Sequence, residues 1–147
     1  MDKTFLLGRQ QRVIVNGKSS EWQLVKSGVP QGSVLGPILF LLYINELPNN
    51  IVQSKAYLFA DDTKLYKAIY KHSDTDELQT DIDILASWSD KQLMKFNLDK
   101  CSSMRIGKSS VPERQYHINT HDIKNVDQEK DLGVIIDNNL SFQAHNF

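Results

Sequence analysis

The segment Ser-Gly-Val-Pro-Gln-Gly-Ser-Val-Leu-Gly-Pro at 27–37 puts three glycines and two prolines into eleven residues, and no other segment restricts the fold so tightly. Proline has a fixed φ and no N–H, and glycine loses the most freedom on ordering, so the segment reads as a shaped loop between regular elements. Before it, Val13-Ile14-Val15, then Asn16-Gly17, then Trp22, Leu24 and Val25 predict a β-hairpin, because Asn-Gly supplies the positive φ of a tight turn. After it, an apolar run through Leu47 predicts a helix with Ser33 or Gly36 near its cap and Pro37 tolerated in its first turn. Pro48-Asn49-Asn50 is expected to end that helix.

Further along, Lys55–Phe59 and Thr63–Ile69 flank Ala60-Asp61-Asp62, which predicts a strand–turn–strand. A long helix is expected from about Asp74 to Lys95. Asp74 and Glu77 stand at capping-box spacing, and Leu78, Ile82, Leu85, Leu93 and Phe96 recur at three- and four-residue steps. Trp88 and Met94 read as packing residues of the same helix. Ser103–Ile106, Tyr116–Ile118 and Leu132–Ile136 are candidate strands of a smaller sheet region. The order strand, helix, strand, strand, helix, strand predicts an α+β fold with helices packed on one sheet face.

Composition narrows the class. A chain of 147 residues is about one domain or a piece of one, and 40 % hydrophobic content suits a packed core and excludes a disordered chain. With 17 basic and 18 acidic side chains the net charge is −1, which excludes a uniformly basic, histone-like binder. The total conceals an asymmetry: nine basic and five acidic residues in 1–73 give +4, and eight basic and thirteen acidic in 74–147 give −5. The first half could lie near phosphates, and ordinary surface scatter reads the same asymmetry equally well. A lone Cys101 excludes an intramolecular disulfide and fits a reducing compartment. The longest apolar stretch, Ile38 to Ile44, is seven residues against the roughly 20 of a membrane helix, and Phe5-Leu6-Leu7 is too short for a signal peptide. These features predict an intracellular chain, nuclear or cytoplasmic, with no membrane partner.

Asp61-Asp62 is the sharpest chemical feature. Neighbouring side chains inside a strand point to opposite faces, whereas at a hairpin tip both can approach one point. Clustered carboxylates repel unless a cation sits between them, and hard oxygen donors select Mg²⁺ or Mn²⁺. The same pair also suits a solvated turn. His117 and His121, four residues apart, lack the further ligands of a metal site.

Phe59-Ala60-Asp61-Asp62, thirty residues after Pro30-Gln31-Gly32, is a joint pattern of another order of specificity. With RQQRVIVNG, SGVPQGSVLGPILFLLYINELP, YLFADDTKLY, FNLDKC and KDLGVIIDNNLSF in that order, the chain resembles the reverse transcriptase domain of non-LTR (LINE-like, jockey-type) retrotransposons over nearly its whole length. The resemblance implies a polymerase palm fragment with a ferredoxin-like strand and helix order whose first strand is missing, and a fingers hairpin at the N-terminus. It divides 1–147 into a fingers-side hairpin and loop (1–32), a palm (33–107) and a primer-grip-like hairpin region (108–147). The implied chemistry is two-metal transfer of a nucleotide from dNTP to a primer 3′-hydroxyl, with Mg²⁺ or Mn²⁺ as cofactor and RNA template, DNA primer and dNTP as partners.

By motif position, Asp61 is implied as the main metal ligand and Asp62 as a ligand or its neighbour. Gln31 and Gly32 match the loop beside the nascent base pair, although the same residues suit a helix lead-in. Phe59 matches the aromatic that packs against a nucleotide or primer sugar, with core packing as its other reading. Lys100 matches a lysine near the triphosphate, or is a turn lysine. Leu132-Gly133 matches the hairpin that grips the primer; as bare residues they read as a strand with a glycine bulge.

The family's third aspartate belongs to a strand expected before the Pro-Gln-Gly loop, and Asp2 lacks that strand context. The rest of the polyprotein, an upstream palm strand and a downstream thumb, is expected as partner. The chain alone is expected to be inactive or weak, because loss of one preorganised electrostatic group costs on the order of a hundredfold in rate. The missing strand is expected to leave an open sheet edge and bare apolar surface on the Pro37–Leu47 helix. Two further readings stand beside this one: a degenerate or co-opted palm remnant that binds nucleic acid or protein without catalysis, and an RNA-dependent RNA polymerase palm.

Overall fold

A computed structural model describes residues 7–26, 28–30 and 32–141. The chain divides into two compact units, one ending at Glu46 and the other beginning at Leu47. Both contain helix and strand, so the α+β class expected from the element order is observed.

The first unit opens with the expected hairpin. Strands β1 (Gln10–Gln11) and β4 (Gln23–Leu24) pair outside β2 (Ile14–Val15) and β3 (Lys18–Ser19). The turn residues Asn16 and Gly17 have φ of 49° and 77°, the two positive values of a type I′ turn. Between the ladders, the Ser20 hydroxyl accepts from Val13 N at 3.0 Å, and the Arg12 guanidinium lies 4.7 Å from the Trp22 ring centroid.

The glycine- and proline-rich segment leads into α1 (Leu35–Ile44). Ser33 shapes the entry: its hydroxyl donates to Pro30 O at 2.7 Å and accepts from Gly36 N at 2.9 Å. A Cβ on Gly36 would meet Pro30 O at 2.7 Å, so only glycine lets this loop fold back onto the helix start. The helix stops at Ile44, three residues before the expected end. Continuing it would drive the Pro48 ring into the Ile44 carbonyl, and Leu47–Asn50 forms a separate 3₁₀ turn.

In the second unit the 3₁₀ turn leads into β5 (Lys55–Phe59), a two-residue turn and β6 (Asp62–Tyr66). Helix α2 follows at His72–Lys91. Asp74 stands at its third position rather than at its cap, and its carboxylate accepts from Lys71 N at 3.0 Å and Tyr70 N at 2.8 Å. The core gathers Leu47, Leu85, Ala86, Trp88, Val111 and Ile123. α2 lies against the 3₁₀ turn and against β8 (His117–Ile118).

The helix ends at Lys91, earlier than expected, and Leu93 and Met94 lie beyond it. Met94 N donates to Ser89 O at 3.0 Å while Leu93 adopts φ of 55°, the arrangement of a Schellman turn with leucine where glycine is usual. That turn throws Leu93 out to 91 % exposure, so it leaves the apolar stripe its spacing assigned it to.

The single sheet under the helices is replaced by six two-stranded ladders among the described residues. β7 (Ser102–Ser103) pairs parallel with β10 (Lys124–Asn125), and β8 pairs with β9 (His121–Asp122). The predicted strand Leu132–Ile136 is a turn plus a strand: β11 (Gln128–Asp131) and β12 (Val134–Asp137) flank Leu132 and Gly133, whose φ values are 47° and 89°. Two successive positive values make a hairpin turn and exclude the bulged strand. Among the described residues, no helix is long and apolar enough to cross a membrane.

Candidate functional site

The alternation along Lys55–Phe59 and Asp62–Tyr66 sorts the β5–β6 hairpin into two faces. Register pairs Phe59 with Asp62, Tyr57 with Lys64 and Lys55 with Tyr66, which places these six residues on one face. That face is largely exposed, whereas Ala56, Leu58, Thr63 and Leu65 on the other are half-buried. β5 lies against the 3₁₀ turn that carries Leu47, a fully buried residue.

Asp61 and Asp62 sit at the exposed tip, Asp61 in the turn and Asp62 as the first residue of β6. Ala60 turns the chain with φ of 52°, the sign a two-residue hairpin needs at its first central position. Asp62 thus shares a face with Phe59, a residue that is 60 % exposed rather than packed in the core. Behind them Tyr57 and Tyr66 stack with centroids 4.9 Å apart and planes 7° off parallel. A side-chain hydrogen bond between Tyr66 and Tyr57 that favours the neutral phenol, with a smaller effect of burial, raises Tyr66 above its ordinary range.

The same face reaches the second hairpin. Lys64 forms an ion pair with Asp131, the last strand residue before Leu132-Gly133. Phe59, Asp61, Asp62 and the Leu132-Gly133 turn therefore belong to two hairpins joined by one salt bridge. Lys100 is elsewhere: it ends the 3₁₀ turn Leu98–Lys100, exposed, and no hydrogen bond or ion pair joins it to either hairpin among the described residues. Gly32 belongs to the first unit with φ of 74°, and Gln31 lies outside the described residues.

Sequence reasoning missed Tyr57, Lys64, Tyr66 and Asp131. A two-residue turn implies the register that puts Tyr57, Lys64 and Tyr66 beside Asp62, so those three were legible; the Lys64–Asp131 pair joins residues 67 apart and was not.

The carboxylates fit a divalent ion in part. Both donors are hard oxygens at an exposed turn, as Mg²⁺ and Mn²⁺ prefer, and Mg²⁺ commonly takes one or two carboxylates with water and phosphate completing its shell. No group of three or more His, Cys, Asp or Glu side chains able to hold a metal occurs among the described residues.

Comparison with known proteins agrees with the motifs. The family model described as reverse transcriptase (RNA-dependent DNA polymerase) matches residues 2–136. The chain is 32 % identical to the RNA-directed DNA polymerase from mobile element jockey of Drosophila funebris, over 97 % of this chain and 16 % of that protein. It is 30 % identical to the jockey polymerase of Drosophila melanogaster over the same shares, and 29 % identical to the probable RNA-directed DNA polymerase from transposon X-element of that species. The chain thus spans about one sixth of the length of these relatives. No solved structure matches it. On the match across residues 2–136 and the Phe59–Asp62 box within it, this chain belongs to the reverse transcriptase (RNA-dependent DNA polymerase) family, among those of non-LTR retrotransposons.

Proposed function

We propose that this chain is the palm portion of an RNA-directed DNA polymerase of a retroelement, presenting Asp61 and Asp62 to divalent ions at a primer terminus. The observation that carries the reading is the placing of two adjacent carboxylates, with an exposed Phe59 beside them, at the tip of one two-residue hairpin inside the family match. Residues 1–32 are assigned to the fingers side, 33–107 to the palm and 108–147 to a primer-grip-like region.

Bound Mg²⁺ or Mn²⁺ would polarise the primer 3′-hydroxyl and the leaving pyrophosphate oxygens. Asp61 is the main ligand in this reading, with Asp62 a ligand or a neighbour that adds negative charge. Phe59 lays its ring against the primer or nucleotide sugar. Asp131, paired with Lys64, holds the Leu132-Gly133 turn beside the same face, where its backbone would grip the primer strand. Gln31 and Gly32 would flank the nascent base pair, and Lys100 the triphosphate. RNA template, DNA primer and dNTP are the partners, in nucleus or cytoplasm.

A further carboxylate and the thumb are assigned to the remainder of a longer polyprotein, consistent with the one-sixth coverage of the relatives. Primer extension on an RNA template tests the reading in two forms: the chain alone, and a chimera in which residues 1–147 replace the matched segment of the Drosophila funebris jockey polymerase. Little extension is expected alone. In the chimera, Asp61→Asn should lower extension by about a hundredfold or more. A chimera indifferent to Asp61→Asn removes the metal-holding role, and robust extension by the chain alone removes the need for further carboxylates.

A further inference from the structure

The β5–β6 hairpin has no third strand beside it among the described residues. An isolated two-stranded hairpin is marginal in water, so what holds this one must come from its surroundings. Both of its roots are fastened to α2. On the incoming side, the Asp81 carboxylate, fully buried at 0 % exposure, accepts from Val52 N at 3.2 Å and Gln53 N at 3.0 Å. On the outgoing side, Lys67 Nζ donates to Gln53 O at 2.6 Å and pairs with Glu77 at 2.6 Å, its side chain only 12 % exposed.

Glu77 and Asp81 are four residues apart and so stand one above the other on the same helix face. The two chains leaving the hairpin are thereby tied to each other, through Lys67 and Gln53, and to consecutive turns of one rigid helix. A carboxylate buried this completely is costly to keep unless its acceptors are used, and here each oxygen takes one backbone N–H. A merely cohesive contact at this place would be met by an apolar residue. A pair of backbone hydrogen bonds instead fixes both the position and the direction of the entering strand.

We infer that Asp81, with Glu77 acting through Lys67, is a positioning residue for the Asp61–Asp62 pair: it sets the hairpin's seat on α2 and so the place at which the two carboxylates meet a divalent ion. The inference rests on the metal-holding role proposed above. Groups that hydrogen-bond a metal's direct ligands typically change its affinity by about 10–100-fold. Asp81, which acts at the hairpin root and touches neither carboxylate, is expected at the lower end of that range.

Mn²⁺ titration of the full ¹⁵N-labelled chain tests it, read as paramagnetic broadening of the Asp61 and Asp62 amides. Broadening at these amides should vanish in Asp61→Asn; if it does not, the metal-holding role fails. Asp81→Asn keeps the shape but offers an amide where a second acceptor is needed. At a temperature where its circular dichroism matches the parent, its Mn²⁺ affinity should fall about tenfold, and amide exchange over residues 55–66 should speed up while that of 82–90 does not. A folded Asp81→Asn chain with parental Mn²⁺ affinity overturns the positioning role. Should that variant not fold, Glu77→Gln releases the outgoing root alone and is read in the same way. The two failures are distinguishable, because faster exchange over 55–66 depends on the clamp and not on metal.

Discussion

Lys64 and Asp131 form an ion pair that joins the hairpin carrying Asp61 and Asp62 to the hairpin turned by Leu132 and Gly133. Lys64 lies on the same strand face as Asp62, two residues further along β6, so the pair sits directly behind the carboxylate tip.

With side chains about a third exposed (39 % for Lys64, 29 % for Asp131), this pair gains moderately from attraction and is screened by salt. A double-mutant cycle of Lys64→Ala and Asp131→Ala, measured by urea denaturation, should give a coupling of about 0.2–1 kcal/mol that shrinks as salt is raised. Zero coupling at low ionic strength would mean that the hairpins are not held together by this bridge.

Gln79 is buried on α2 and acts as a short strand: its Nε2 donates to His117 O at 2.8 Å and its Oε1 accepts from His117 N at 3.1 Å. Gln79→Ala leaves both backbone groups of His117 without their partner and should cost about 1–3 kcal/mol. Thermal denaturation measures it; a loss below a few tenths would show that water replaces the amide.

Ala60 holds a left-handed backbone immediately before Asp61, a conformation in which a Cβ costs roughly 1–2 kcal/mol and a branched one more. Ala60→Val is therefore expected to lower stability and Ala60→Gly to be tolerated. Gly133→Val, at φ of 89°, should behave like Ala60→Val for the second hairpin. Melting temperatures of the three variants give the ranking, and equal values for Ala60→Val and Ala60→Gly would contradict the turn geometry.

Asp74 closes the start of α2, and hydrogen bonds from Tyr70 N, then Lys71 N, hold its carboxyl below the ordinary range. Because the folded value is the lower one, the ionised form stabilises the fold above about pH 4. That contribution is lost as pH falls from there through the lowered folded value. Asp74→Asn should flatten the acid limb of a stability-against-pH curve, and an unchanged limb would locate the acid sensitivity elsewhere.

Tyr66 is raised chiefly by its side-chain hydrogen bond with Tyr57. The neutral phenol is favoured in the folded state, so its contribution is present below the ordinary phenol range near about pH 10 and fades as pH climbs through the raised value. Tyr57→Phe removes the hydroxyl and keeps the ring. Phenolate absorbance should then show Tyr66 titrating earlier, and no change would mean that the stack, not the hydroxyl, sets it.

Local chemistry was readable wherever a residue's own conformational limits decide. Asn16-Gly17 announced its turn, Pro37 was accepted in a first helical turn, and Ala60-Asp61-Asp62 was read as a hairpin tip because two short strand-forming runs flank it. The pattern of Phe59–Asp62 with the loop at 27–37 carries the family resemblance in the sequence alone, since those residues carry chemistry as well as fold. Misreadings came where neighbours compete with propensity. Leu93 kept helical spacing but was diverted by a Schellman turn, and the helix α1 ended at Ile44, short of the apolar run, because of a proline four residues beyond.

Spacing alone cannot reveal contacts between distant segments. The Asp81 carboxylate reaches backbone N–H groups 28 and 29 residues before it, and Lys64 finds Asp131 67 residues after it. The turns, the helix-forming stretches and the paired acids are legible residue by residue, because they follow from φ limits and side-chain period. Which buried charge seats the acidic hairpin, and which hairpin faces it, follows from the folded arrangement instead, because pairings between distant residues depend on where packing brings the chain together.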